Sequence, residues 1–200
     1  MTSKVSADDP IAKILNFWFN VDTETGSQSS ARWFEKSNEF DQQIRENFAH
    51  DWMFAATGEY TAWEGSAKGC LALVVLLDQF PRNMFRSNAG SFATDGRALR
   101  VSKLAIEKGF DLELNPLERS LLYMPLMHSE CIEDHELLAI PKFAALAEVD
   151  PGKFGSFSKY EEKHLTIIRK YGRYPHRNDI LGRASTPDEE DFLKDPGSGF

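Results

Sequence analysis

Apolar residues recur at three- and four-residue spacing along most of the chain, and strand-like alternation is nearly absent, so the pattern predicts helices throughout. Ile11, Ile14, Leu15 and Trp18 share one face of a first helix, with Asp9 as its cap and Pro10 at its first position. After the polar loop VDTETGSQSS, Ser37 caps a second helix, in which Phe40, Ile44, Phe48, Trp52 and Ala55 run at near-fourfold spacing to a stop at Gly58. The stretch KGCLALVVLLDQF is apolar almost all round and marks a central buried helix, which Pro81 is expected to end or to turn.

A loop through Asn88, Gly90 and Thr94 leads to GRALRVSKLAIEKG, closed by Gly109. Asn115, Pro116 and Glu118 form a start like a capping box, and Pro125 and Pro141 punctuate two or three shorter helices through Ala147. Beyond Pro151 and Gly155, FSKYEEKHLTIIRKYG predicts a helix that stops at Gly172. In STPDEEDFLKD, Ser185 or Thr186 caps, Pro187 starts, and the acidic first turn suits the helix dipole. Gly58 and Gly109, and likewise Leu71 and Leu122, repeat at an offset longer than the roughly 34 residues of a tetratricopeptide repeat. The expectation is an all-α fold of antiparallel helix pairs, a degenerate array in one domain over residues 1–194 with a mobile tail at 195–200.

Composition narrows this. A 200-residue chain with 42% hydrophobic residues can bury roughly 70% of its unfolded surface in one core, without metal or disulfide. Cys70 and Cys131 lack paired spacing and read as free thiols of a reducing compartment. The stretch MTSKVSADDPIAK has no apolar core of a secretory signal, and the longest apolar run, Leu71 to Leu77, falls far short of the ~20 residues that span a bilayer. A cytoplasmic location and no membrane partner are expected. The net charge of -8 is uneven: Lys163 to Arg183 carries six bases (Lys163, Arg169, Lys170, Arg173, Arg177, Arg183) against Asp179. That segment is +5 and the remainder -13, which argues against nucleic acid as a partner while leaving a local anion site open.

Two strings, LLDQFPRNMFR and YGRYPHRNDILGRASTPDEEDFL, stand beside ILNFWF, RWFEK and LYMPLMHSE. Together they resemble the bacterial domain-of-unknown-function family 924 over nearly the whole chain. The resemblance implies an all-helical, tetratricopeptide-like fold and supplies no activity, substrate or catalytic residue.

The chemistry must therefore come from the residues. Asp78 and Arg82 lie four apart at the end of the most apolar helix, with Asn83 and Arg86 beyond. A carboxylate there needs a cation, and the pair reads either as packing or as part of a ligand site. Arg173, His176, Arg177, Asn178 and Arg183 occupy a loop punctuated by proline and glycine, where arginine forks match phosphate or carboxylate oxygens. The alternative is that these arginines tie the loop to acids such as Asp78. His128, Cys131 and His135 would share one side of an unbroken helix as zinc ligands, but the motif is weak and packed histidines are expected; no metal or cofactor is assigned. Trp18, Phe19, Trp33, Phe34 and Trp63 read as core before pocket. No phosphate loop, dinucleotide fingerprint, nucleophile elbow or HExxH occurs.

Two functions compete. In the first, a small phosphorylated or carboxylated ligand sits between the DQFPRN helix end and the PHRN loop, held by Arg82, Arg173 and Arg177, with Asp78, His128 or His176 as acid or base if there is chemistry. In the second, a helical scaffold binds a protein or peptide and catalyses nothing. Whether the protein is an enzyme stays open.

Overall fold

A computed structural model describes residues 9–22, 24–34, 36–195 and 197–198, and among them every regular element is helical. The expected tail at 195–200 includes residues 196, 199 and 200, which lie outside the described set. No helix among the described residues is long and apolar enough to cross a membrane. Contacts divide the chain into two compact units, one ending at Arg86 and resuming over Gly90–Leu122, the other formed by Ser87–Ala89 with the chain from Tyr123 onward.

The first unit holds α1 (Pro10–Trp18), α2 (Asn38–Thr57), α3 (Ala67–Val74), α4 (Phe80–Met84), α5 (Asp95–Glu107) and α6 (Pro116–Leu122). Its caps are the local ones. Asp9 accepts from Ile11 N–H at 3.0 Å, Ser37 accepts from Phe40 N–H, Gly58 closes α2 at φ 95°, and Asn115 and Glu118 accept each other's backbone N–H. The core is aromatic: Trp18, Phe19, Phe48 and Phe80 are fully buried, with the Phe48 and Phe80 rings 4.8 Å apart. Trp33 is buried too, donating Nε1–H to the Trp18 carbonyl, whereas Phe34 is 67% exposed and lies outside the aromatic core expected for it.

Pro81 does not end the central helix. The chain passes from α3 through a five-residue π turn, Val75–Gln79, into α4, which contains Pro81. Proline has no N–H for the carbonyl four residues back and its ring crowds that carbonyl, so the preceding turn widens: Phe80 N–H bonds to Val75 O, five residues back. The carbonyl released is that of Leu77, and the buried Thr94 hydroxyl donates to it at 2.5 Å. Thr94→Val, nearly isosteric, is thus expected to cost about 1–2 kcal/mol in urea unfolding, the penalty for a buried acceptor left unmatched. An unchanged midpoint would show that Leu77 O is satisfied otherwise.

The second unit begins with α7 (Met124–Met127) and repeats the device. Here α8 (Ile132–Asp134), a π turn at His135–Ala139 and α9 (Ile140–Val149) form one path, with Pro141 next to Ile140, whose N–H reaches His135 O. α10 (Pro151–Tyr171) starts earlier than expected, because Asp150 accepts from Lys153 N–H and Pro151 takes the first position, so Gly155 lies inside the helix. Gly172 stops it at φ 66°. α11 (Pro187–Leu193) opens on a full capping box between Thr186 and Glu189. α9 and α10 pack along each other over Phe143, Leu146, Phe154 and Leu165, while Ile167, Ile168 and Tyr174 form a core cluster with Ile132, Tyr171 and Phe192 against it.

Candidate functional site

The nine residues singled out by sequence divide between the units: Asp78, Arg82 and Asn83 in the first, and His128, Arg173, His176, Arg177, Asn178 and Arg183 in the second.

In the first unit the π turn rotates Asp78 fully inward. Gln79 Nε2 donates to its Oδ2 at 2.5 Å, and Arg82 Nη1 lies 3.3 Å from Oδ1. Arg82 also donates to the Asp78 carbonyl and holds Asp95 in a two-pronged pair at 3.0 and 3.1 Å. Burial disfavours the Arg82 charge, but Asp78 and Asp95 outweigh it and hold the guanidinium pKa above its ordinary value. Asn83, adjacent in sequence, belongs to a different cluster. Its Nδ2 donates to Asp41 at 2.8 Å, beside Arg86, and those bonds outweigh burial to keep the Asp41 carboxyl below its usual range. The DQFPRN string thus feeds two ion-pair clusters, each built from acids of the same unit.

In the second unit the loop residues gather around Tyr174, which is fully buried. Its hydroxyl donates to Met127 O at 2.5 Å, and its N–H donates to Glu130 Oε1 at 2.8 Å. The His164 and His176 rings each lie 5.6 Å from its ring, and the Arg177 guanidinium stacks over it at 4.5 Å while donating to His128 O at 3.1 Å. Arg183 grips Glu130 with two bonds of 2.7 and 3.0 Å, and also the Tyr174 carbonyl and Asn178 Oδ1. Arg173 grips Glu189 with two bonds of 2.7 Å, and Asn178 donates to Glu189 and to Ser185. The Arg173 bond holds the Glu189 carboxyl down to about 2. For Glu130 burial raises the pKa, and the Arg183 bond and nearby charges bring it below the ordinary value.

Sequence reasoning missed both glutamates as arginine partners. Glu189 is legible as a residue of the acidic first turn and Glu130 ends the string LYMPLMHSE, but neither feature names a partner. A third acid was missed as well. Glu161, fully buried on α10, holds His135 Nδ1 at 2.7 Å, and His135 Nε2 lies 2.8 Å from Ser129 O. A carbonyl only accepts, so Nε2 carries a proton. Burial pushes the Glu161 carboxyl up, and Glu161 in turn raises His135 against burial, so the pair holds a proton between its members. Glu161 Oε2 has no hydrogen-bond partner among the described residues.

His128, Cys131 and His135 do not share a helix face, because the chain leaves the helix after Met127 and resumes at Ile132. Cys131 is exposed and His135 buried, and no cluster able to hold a metal occurs among the described residues. An open groove of about 520 Å³ lies along α9 and α10, lined by Glu136, Ile140, Glu162, Leu165, Thr166 and Arg169, and includes none of the nine candidates.

No curated protein matches the chain. A solved structure of a protein of unknown function from Agrobacterium tumefaciens, ATU0120, is similar to it at 33% identity, with a TM-score of 0.73 over 92% of this chain and 96% of that one. The family model for bacterial proteins of unknown function, DUF924, matches residues 14–197. The chain belongs to that family.

Proposed function

We propose that this protein is a helical interaction scaffold, as the tetratricopeptide-like arrangement implied by its family resemblance would suit, and that its arginine-rich loop is a structural clasp. The observation that carries this reading is the pairing of the loop's arginines: Arg173 with Glu189 and Arg183 with Glu130, each through two bonds. A ligand that took Arg173 would first have to displace a carboxylate already in place. The competing reading is a small phosphorylated or carboxylated ligand held near Arg177, which stacks on Tyr174 within the same loop.

Thermal melts separate the two. Under the scaffold reading, phosphate and chloride at equal ionic strength raise the melting temperature equally, and Arg177→Ala lowers it in both salts alike, since screening does not saturate. A saturable increment from phosphate, lost in Arg177→Ala while the variant stays helical, would overturn the scaffold reading in favour of the anion site.

A further inference from the structure

Four of the chain's five histidines, His128, His135, His164 and His176, fall in the second unit, whereas all four tryptophans fall in the first. His164 is 6% exposed on α10, its Nδ1 donating to the Tyr160 carbonyl at 2.7 Å one turn back and its ring edge-on to Tyr174. With Nδ1–H committed to a carbonyl, a second proton enters at Nε2 and creates a buried cation.

The charged groups on the surrounding elements do not welcome that cation. His176 and Arg177 pack on the same Tyr174 ring, and His128, just past α7, and His135, in the π turn, act on His164. The nearby acids have other work: Glu161 holds His135, Asp134 accepts from the Ser129 hydroxyl at 2.7 Å, Glu130 holds Arg183, and Glu189 holds Arg173. On α9, Lys142 lies over the Tyr123 ring and Glu148 is exposed.

We propose that the second unit opens in mild acid: protonation of His164 and His176 drives their rings off Tyr174 and frees the 172–186 loop, while the first unit, with His50 alone, keeps its fold. Burial holds His164 down to about 3, and burial with the adjacent Arg177 charge holds His176 down to about 4 against the pull of Glu130. A folded state that binds the neutral imidazole has its full stability above the unfolded value, near 6.5, and loses it as pH falls towards those lowered values. Each histidine then shifts the closed-to-open ratio by about tenfold per pH unit below 6.5. Glu161 works in the opposite direction. Its raised carboxyl takes up its proton earlier in the folded state, so acidification through the carboxylate range favours closure. The raised hold of His135 on its proton is complete below 6.5 and does not vary over this window. Two histidines against one carboxyl leave a net opening, and Glu130 and Glu189, both lowered, add to it only below the ordinary glutamate range.

Hydrogen exchange of the full chain between pH 7.5 and 4.5, corrected for intrinsic rates, tests this. The expected result is a loss of protection of at least tenfold over residues 160–186, with protection over 67–79 and tryptophan emission unchanged. His164→Asn keeps a donor for Tyr160 O and cannot titrate, so the loss should shrink about tenfold per pH unit below 6.5. If that variant fails to fold, the wild-type His164 Cε1–H resonance serves instead and should keep its neutral position until the loop opens. The proposal is overturned by loss of protection in both units at one pH, as a single cooperative domain over 1–194 would give. It also fails if the loop stays protected to pH 4.5, if His164→Asn responds as the wild type does, or if His164 titrates while the loop is still protected.

Discussion

Tyr174→Ala should destabilise the second unit by about 4 kcal/mol, within the range for removing a fully buried large aromatic side chain. Tyr174 is 0% exposed and packs with Ile167 and Ile168, with Ile132, Tyr171 and Phe192 around them. Its ring is also the surface on which Arg177, His164 and His176 lie, so truncation removes the common wall of the loop. The backbone bonds from Tyr174 to Glu130 and Arg183 do not depend on the side chain and should survive. Tyr174→Phe isolates the hydroxyl, whose bond to Met127 O accounts for about 1 kcal/mol. Denaturant unfolding of the two variants decides the matter. A cost for Ala no larger than that for Phe would mean that the ion pairs alone hold the loop and that the ring is filler.

Asp78→Ala should cost about 3 kcal/mol, the order expected when one partner of a buried ion pair is removed. The substitution leaves the Gln79 amide without its carboxylate acceptor and Arg82 with Asp95 as its remaining acid. Asp95 supplies the internal comparison, because its side chain is 18% exposed where that of Asp78 is fully buried. Water can therefore replace Asp95 in part, and Asp95→Ala should cost less. Equal losses from the two variants, measured by urea midpoint, would show that either acid suffices for Arg82 and that the burial of Asp78 adds nothing.

The scaffold reading and the acid-opening proposal bear on the same loop through different groups. The clasp of Arg173 and Arg183 on Glu189 and Glu130 keeps its charges well below pH 6, since Arg183 and its neighbours hold Glu130 below the ordinary range and Arg173 holds Glu189 down to about 2. Imidazoles respond first. A loop that loosens between pH 6.5 and 4.5 would thus do so through its histidines, before either glutamate takes up a proton.

What the sequence determined by itself is the set of features that close within a few residues. Asp9 and Ser37 cap the helices they precede, one of Ser185 and Thr186 caps the last, Gly58 and Gly172 stop the helices they follow, and the apolar spacing gives an all-helical chain, because a cap needs only its own next turn. The ion pair of Asp78 and Arg82 was legible for the same reason, being four residues apart on one path. The tertiary structure decided the rest. Pro81 continues its helix because Thr94, distant in sequence, satisfies the carbonyl that the proline releases. Arg183 finds Glu130 across 53 residues, Asn83 finds Asp41 across 42, and His135 finds Glu161 across 26. In each case residue type announces the need for a partner, but burial sets how strong that need is, and only the packed chain determines which oppositely charged or polar group arrives to meet it.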